Sequence, residues 1–179
     1  MKTHLLILFA VISIAFTACD LNGSSNFTPE IRLYPSHISK SDTLNMYLTD
    51  ESGVLRMDTI NVGDTVVIRM YLNGSTNNLT SFYLAQSDTS EATILLPIAA
   101  SMDSIFSKSQ SDYNRGKFIF LPKKVFIYFP IRFVAMKPSN TATIQFSLTS
   151  DANFENGIGN NSIVLKLKTP IVAKPVTIQ

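Results

Sequence analysis

The sequence predicts an all-β fold, an antiparallel sandwich of about seven to nine strands that follows an N-terminal signal peptide. Many short segments alternate apolar and polar residues, and clusters of Gly, Asn, Asp and Ser separate them. No long segment repeats apolar residues with the 3.6-residue period of a helix. The chain instead begins with a charged start and an apolar run that ends at its only cysteine, Cys19.

The clearest predicted strand covers residues 64–73, which read DTVVIRMYLN. Because side chains alternate between the two faces of a strand, one face collects four apolar residues: Val66, Ile68, Met70 and Leu72. The opposite face collects Val67, Arg69 and Tyr71. The dipeptide Asn73-Gly74 then predicts a tight turn.

Eight further segments carry strand signals: residues 43–48, 54–60, 79–86, 92–96, 118–121, 125–136, 141–149 and 163–167. A turn-like Asp-Glu-Ser-Gly cluster separates the first two, so we expect them to form a hairpin. Residues 101–113 are expected to form a helix or a long loop. Because helical spacers are otherwise missing from the sequence, an antiparallel sandwich is favoured over a parallel α/β fold.

The segment 125–136 contains Pro130, which cannot donate a hydrogen bond to a neighbouring strand. One interpretation is an apolar sheet edge that accepts a strand from a partner protein. The other interpretation, which we favour, is a strand that is buried on both faces and kinked at Pro130.

The run V-G-D-T-V at residues 62–66 resembles the turn into strand B of divergent immunoglobulin-like modules in bacterial exported proteins. The resemblance implies that residues 30–179 form one immunoglobulin-like β-sandwich. It is a resemblance of pattern, because the tryptophan and the second cysteine of true immunoglobulin domains are absent from the sequence.

The window Phe16-Thr17-Ala18-Cys19 resembles the lipobox of bacterial lipoprotein precursors, in which the cysteine receives a thioether-linked diacylglycerol and becomes the first residue after cleavage. The resemblance implies a signal peptide at residues 1–18 and a lipidated Cys19 with a polar tether at 19–29. The apolar run of 14 residues before Cys19 is shorter than the roughly 20 that span a bilayer. The alternative is an ordinary signal peptide cleaved near Ala18, which would leave an unusual free thiol in an oxidising compartment.

The charge balance argues against nucleic acid as a partner. Removal of residues 1–18 leaves 14 basic against 13 acidic residues, whereas nucleic-acid binding depends on clustered lysine and arginine. We expect the lipid anchor to contact the membrane, and envelope proteins or glycans to be the other partners.

The sequence supplies few groups for catalysis. The two histidines are His4, in the predicted signal peptide, and His37. Ser36 precedes His37, but neighbouring side chains on an extended chain point apart, so the two do not form part of a Ser-His-Asp triad. A zinc site of histidine and cysteine is also excluded. We expect no enzyme activity and no cofactor; an envelope enzyme built on a spatial pair of carboxylates is the least favoured alternative.

The most metal-like stretch reads DANFENG and places oxygen ligands at alternate positions, in Asp151, Asn153 and Glu155. It differs from a calcium loop because its glycine comes one position late and Ser162 stands where a bidentate glutamate belongs. We therefore favour a polar connection between two strands over a metal site.

Four aspartates are each followed by Ser or Thr and then an apolar residue, a pattern that resembles the O-glycosylation signal of one phylum of Gram-negative anaerobes. The candidate modification sites are Thr43, Thr59, Thr65 and Ser104. The structural alternative is that Asp and Thr favour turns and strand starts through local hydrogen bonds. The pattern leaves both interpretations open.

Together these observations predict a lipid-anchored binding or structural module of the bacterial cell envelope, at the outer membrane, that acts through protein surface contacts without catalysis. A carbohydrate-binding lipoprotein of a glycan-uptake system is the alternative. Sugar sites stack sugar rings on aromatic faces, so two exposed coplanar tyrosines would favour that alternative.

Replacement of the anchor residue tests the predicted attachment. Cys19→Ser removes the thiol that acylation requires, and two or three acyl chains, at about 0.8 kcal/mol per buried methylene, bind durably to a bilayer. We expect the wild-type protein to partition into the detergent phase and the variant to remain in the aqueous phase. Identical soluble behaviour of the two proteins would contradict the lipoprotein prediction.

Overall fold

The computed structural model describes residues 26–38, 42–49, 53–154 and 159–175. The predicted signal peptide, Cys19 and residues 20–25 of the predicted tether lie outside the described residues. The described chain is mostly β, with two main sheets packed as a sandwich and minimal helix. The predicted all-β class and the sandwich architecture are therefore confirmed.

Twelve strands and two short helices make up the described ranges. The strands are β1 (Glu30–His37), β2 (Met46–Leu48), β3 (Val54–Met57), β4 (Ile60–Asn61), β5 (Thr65–Asn73), β6 (Leu79–Gln86), β7 (Ala92–Leu95), β8 (Lys117–Ile119), β9 (Phe126–Ala135), β10 (Thr143–Ser150), β11 (Ser162–Lys168) and β12 (Ile171–Val172). The helices are α1 (Ala99–Asp103) and a 3₁₀ helix (Tyr113–Arg115).

Ten of these strands form the two main sheets. The front sheet has four strands in the order β1-β5-β9-β7, and all its neighbours are antiparallel. The back sheet has six strands in the order β2-β3-β11-β10-β6-β8. In the back sheet β3 and β11 run parallel, and the other neighbours run antiparallel. The strands β4 and β12 form a separate parallel pair.

Two details of the predicted sandwich differ from the structure. The described ranges contain twelve strands rather than seven to nine, and β3 pairs with β11 in parallel. Strands joined by a tight turn must be antiparallel, whereas β3 and β11 are far apart in the sequence and free of that constraint. Their register instead aligns the partly buried Leu55 with the buried Leu167, so both contribute to the core.

Most of the predicted strand segments are strands in the structure. Residues 65–73 form β5, residues 79–86 form β6, and β2 pairs with β3 as the expected hairpin. The sequence analysis does not predict β1, in which Pro35 has no backbone N–H to donate. Leu44 donates its N–H to the Pro35 carbonyl at 3.1 Å, so the peptide groups of Pro35 face away from β5 and the missing N–H leaves the β1–β5 pairing intact.

An aromatic cluster connects the two sheets across the core. Its members are each less than 2% exposed: Phe82, Phe106, Phe118, Phe129 and Phe146. The ring of Phe129 on the front sheet lies 6.0 Å from Phe82 on the back sheet and 5.2 Å from Phe106, in edge-to-face contacts. Burial of one such ring stabilises the fold by about 1.5–3 kcal/mol. Because Phe106 lies in the connection between β7 and β9, this connection is part of the core.

The prediction that β9 is buried on both faces is wrong. Burial alternates along the strand: Ile127 and Phe129 are buried, whereas Phe126 and Tyr128 are 57% and 44% exposed. The two-residue period of the strand places only one set of side chains in the core, and the outer side of the front sheet faces solvent.

Pro130 lies where β9 has a described neighbouring strand on one side only, β5. Ala135 donates its N–H to the Asp64 carbonyl at 3.0 Å, so the peptide groups of odd-numbered β9 residues face β5 and those of Pro130 face the other side. On that side β7 ends at Leu95, which is paired with Arg132. Within the described ranges, residues 126–130 therefore form an open sheet edge, and the proline occupies a position that needs no donor.

Two phenylalanines on β9 provide a matched pair of substitutions. Phe129→Ala should lower the free energy of unfolding by about 3–5 kcal/mol, because it removes a buried ring and leaves a cavity. Phe126→Ala should lower it by at most about 1 kcal/mol, because its ring contributes only cross-strand contacts on the solvent side. Chemical denaturation followed by circular dichroism measures both values, and equal destabilisation would contradict this assignment of the two faces.

Candidate functional site

Seven outward-facing side chains on three strands of the front sheet form a surface that we call the aromatic–arginine face. They are Arg32 and Tyr34 on β1, Arg69 and Tyr71 on β5, and Phe126, Tyr128 and Arg132 on β9. The inward-facing residues of these strands are mostly apolar and buried, so the strand period of two directs the arginines and rings to the opposite side. The face is therefore held by the same backbone that contributes 11 of the 28 buried residues of the core cluster in the described ranges.

Tyr71 is the centre of the aromatic part of this face. Its ring lies 5.5 Å from that of Tyr34, 5.3 Å from that of Tyr128 and 5.8 Å from that of Phe126. Tyr34 and Tyr128 are 49% and 44% exposed. Tyr71 makes interplanar angles of 88° with Tyr34 and 52° with Tyr128, so these exposed tyrosines do not form a coplanar platform for a sugar ring.

The three arginines lie on one diagonal of the front sheet. Arg32 is opposite Tyr71, Arg69 lies two residues before Tyr71 on β5, and Arg132 is opposite Val67. Each step from one arginine to the next crosses one strand and advances two residues. Such diagonal neighbours have Cα atoms about 7–8 Å apart, so the row is about 15 Å long.

Neighbouring side chains orient two of the arginines. Arg69 donates a hydrogen bond from Nη1 to Ser36 Oγ at 2.6 Å, and Arg32 donates from Nε to Glu30 Oε1 at 2.6 Å. The hydrogen bond and the attraction to Glu30 raise the pKa of Arg32 above its usual value. Among the outward-facing side chains of the four front strands, Glu30 is the only acid and lysine does not occur. The face therefore carries a net positive charge that arginine alone supplies.

Two open clefts flank Arg69 on this surface. The first, of 520 Å³, lies along β1 and β5 between Arg32, Tyr71 and Phe126. The second, of 540 Å³, extends from Arg69 past Arg132 to an apolar wall that contains Leu95, Pro97 and Ile98. Ile98 is 74% exposed, so exposed aliphatic surface lies beside the arginine row.

The outer side of the back sheet has a different chemistry. Its cations include three lysines, Lys117, Lys166 and Lys168, and β10 contributes Thr, Ser and Gln side chains. Tyr83 on β6 is 43% exposed, which nearly equals the exposure of Tyr128 on the front sheet. The two tyrosines therefore provide a matched comparison between the two sides of the sandwich.

The four candidate glycosylation residues differ in exposure. Thr43, Thr59 and Ser104 are exposed, whereas Thr65 is half-buried as the first residue of β5. Ser104 follows α1 and donates its hydroxyl hydrogen to the Ser101 carbonyl at 2.8 Å. Asp64, before Thr65, accepts the Asn61 N–H in a local turn, as the structural alternative expects. Asp58, before Thr59, instead accepts the N–H of Asn45, thirteen residues earlier in the chain. Modification of these residues stays a prediction.

The predicted metal candidates have other partners in the structure. The Asp151 carboxylate accepts two hydrogen bonds from Asn78, one from its N–H and one from its side-chain amide, both at 2.7 Å. The backbone N–H and carbonyl of Asn153 bond to the Asn26 side chain, and Glu155 lies outside the described residues. In the described ranges no group of three His, Cys, Asp or Glu side chains could hold a metal ion.

His37 and Ser36 lie at the end of β1 and form hydrogen bonds with different partners. The backbone N–H of His37 donates to the Asp42 carbonyl at 2.9 Å. The Ser36 hydroxyl accepts the hydrogen bond from Arg69, so it orients an arginine of the aromatic–arginine face.

No protein-family model matches the chain, and no curated protein matches it either. Neither helix in the described part of the chain has the length and apolar character that crossing a membrane requires. The aromatic–arginine face is therefore assigned from its own chemistry.

The sequence analysis does not bring the residues of the aromatic–arginine face together. It places Arg69 and Tyr71 on one face of a strand, but β1 is missing from the predicted strands. The alternation of Ile31 and Leu33 with Arg32 and Tyr34 is the signal that could have identified β1.

Calcium provides a direct test of the loop at Asp151. Because the Asp151 carboxylate binds Asn78, we expect millimolar calcium to leave the thermal midpoint unchanged relative to chelator. A saturated site at 100 times its Kd would add about 2.7 kcal/mol, a shift of roughly 5–10 °C. Asp151→Ala should instead lower stability by about 0.5–1.5 kcal/mol for each hydrogen bond lost, with or without calcium. A calcium-induced rise of that size, abolished in Asp151→Ala, would establish a metal site.

Proposed function

We propose that this protein is a lipid-anchored, non-catalytic binding module of the bacterial cell envelope, with an immunoglobulin-like sandwich that binds a protein partner through the aromatic–arginine face. The anchor is Cys19, and the membrane is the outer membrane.

The composition of the aromatic–arginine face is the observation that carries this proposal. Protein interfaces are enriched in Tyr, Phe and Arg and depleted in Lys, and the residues that dominate binding energy are most often Trp, Tyr and Arg. Seven of the outward-facing side chains on β1, β5 and β9 belong to the enriched types, and the others include Ser36, Val67 and Pro130. The outer side of the back sheet also exposes Tyr47 and Tyr83, but lysines and hydroxyl side chains surround them, as on an ordinary solvated surface.

The contacts of Asn26 and Phe27, at the start of the folded domain, support an orientation of the sandwich on the membrane. The Asn26 side chain exchanges hydrogen bonds with Asn153, and Phe27 donates its N–H to the Asn77 side chain at 3.4 Å. Seven residue steps separate Cys19 from Asn26, and they can span at most about 25 Å. The end of the sandwich that carries these loops would therefore lie close to the bilayer. The aromatic–arginine face, on the outer side of the front sheet, would then lie next to the bilayer.

The immunoglobulin-like assignment rests on the turn into β5. Asp64 accepts a hydrogen bond from the Asn61 N–H at 2.9 Å, and Gly63 adopts a φ of +88°, which favours glycine. The V-G-D-T-V run therefore leads into a central strand of one of two packed sheets, as it does in the modules it resembles.

Site-specific photo-crosslinking in intact bacteria tests the proposed binding surface. A photoreactive phenylalanine at Tyr128 should give a covalent adduct with an envelope protein, because this side chain lies on the aromatic–arginine face. The same group at Tyr83, which has matched exposure on the back sheet, is the control and should give no adduct. Equal adducts from both positions, or none from either, would contradict the proposal.

A further inference from the structure

We infer that the partner presents an extended acidic polypeptide segment whose carboxylates, at alternate positions, bind Arg32, Arg69 and Arg132. This inference rests on the proposed function and specifies the chemistry of the partner.

The spacing of the arginine row matches an extended chain. Alternate residues of a strand point to the same side and are about 6.6–6.8 Å apart. The arginines step diagonally across β1, β5 and β9 at about 7–8 Å. Acidic residues at positions i, i+2 and i+4 of a segment that crosses the front sheet along this diagonal can therefore each meet one arginine. Consecutive acidic residues alternate sides, so one of every two would point away.

The side-chain geometry prepares the row for carboxylates. A guanidinium presents five donors in a planar fork that suits a carboxylate, and the hydrogen bond from Arg69 to Ser36 uses one of them. That bond restricts the arginine, so less conformational entropy is lost when a carboxylate binds. Glu30 already accepts a hydrogen bond from Nε of Arg32, so an incoming carboxylate competes with Glu30 for this arginine.

The apolar wall beside the arginines selects a polypeptide over other anions. Leu95 pairs with Arg132 across β7 and β9, and together with Ile98 it lines the second cleft. An aliphatic side chain that follows the acidic positions can bury surface there. Acidic polysaccharides and single-stranded nucleic acids supply anions but no aliphatic side chains. The steep angles of Tyr71 to Tyr34 and to Tyr128 also prevent these three rings from forming one continuous platform for successive sugar rings or bases.

Two peptides of identical composition test the inference with the full chain in detergent at low salt. In the first, three glutamates alternate with threonines and a leucine ends the peptide: Glu-Thr-Glu-Thr-Glu-Thr-Leu. In the second, the three glutamates are consecutive: Glu-Glu-Glu-Thr-Thr-Thr-Leu. Fluorescence anisotropy with blocked, labelled peptides should show that the alternating peptide binds at least about tenfold more tightly, a difference of about 1.4 kcal/mol.

Four variants assign the binding to the arginine row. Arg69→Ala should weaken the binding of the alternating peptide about tenfold, since a charge-assisted hydrogen bond is lost. Arg69→Lys, which keeps the charge without the fork and preserves the fold, should weaken it by roughly threefold. Glu30→Gln should tighten binding roughly twofold to fivefold, because Arg32 is released. Lys166→Ala removes the same charge from the back sheet and should change nothing.

Several results would overturn the inference. These are equal affinity for the two peptides, no binding of either, an unchanged affinity in both Arg69 variants, or displacement of the alternating peptide by polygalacturonate or oligothymidylate at equal charge concentration. If the Tyr128 position forms a protein adduct in bacteria while the peptides fail these tests, the proposed function stands and the acidic segment does not. If the alternating peptide binds as expected and no adduct forms, the face recognises acidic strands and the proposed envelope interaction is wrong.

Discussion

The pairing of β5 with both of its neighbours is the constraint that the core and the aromatic–arginine face share. β5 pairs along its whole length with β9 on one side and, from Val66 to Asn73, with β1 on the other. Its inward side chains are fully buried: Val66, Ile68, Met70 and Leu72. A slip of one residue would expose all four and bury Arg69 and Tyr71, so the hydrophobic effect fixes the register that assembles the outer surface.

The connection between β7 and β9 stabilises the front sheet from its buried side. Gly116 follows the 3₁₀ helix with a φ of +64°, and a Cβ at this position would lie 1.9 Å from the Leu84 carbonyl oxygen. Because residue 116 is a glycine, the connection can approach β6 closely, and the Leu84 N–H donates to the Gly116 carbonyl at 2.9 Å. This contact directs Phe118 into the core against Phe129, directly beneath the outer surface of β9.

The sequence predicts those features that depend on neighbouring residues. Alternation in residues 64–73 and 79–86 predicts β5 and β6, because each strand has one buried face and one solvated face. The same local information does not reveal which strands are neighbours. Long-range pairing decides that Tyr34 and Tyr128 both contact Tyr71, and that the long strand around Pro130 has solvent on one side. The parallel pair of β3 and β11 escapes sequence analysis for the same reason, since no tight turn fixes its direction.

Tyrosine footprinting in intact bacteria tests the central claim most directly, because the chain contains its own controls. Tyr34 and Tyr128 on the front sheet are 49% and 44% exposed, and Tyr47 and Tyr83 on the back sheet are 48% and 43% exposed. All four should be modified at similar rates in the purified protein. In the envelope, mass spectrometry should show that Tyr34 and Tyr128 become protected while Tyr47 and Tyr83 stay reactive. Equal reactivity of all four in the envelope, or protection of the back-sheet pair instead, would contradict a binding role for the aromatic–arginine face.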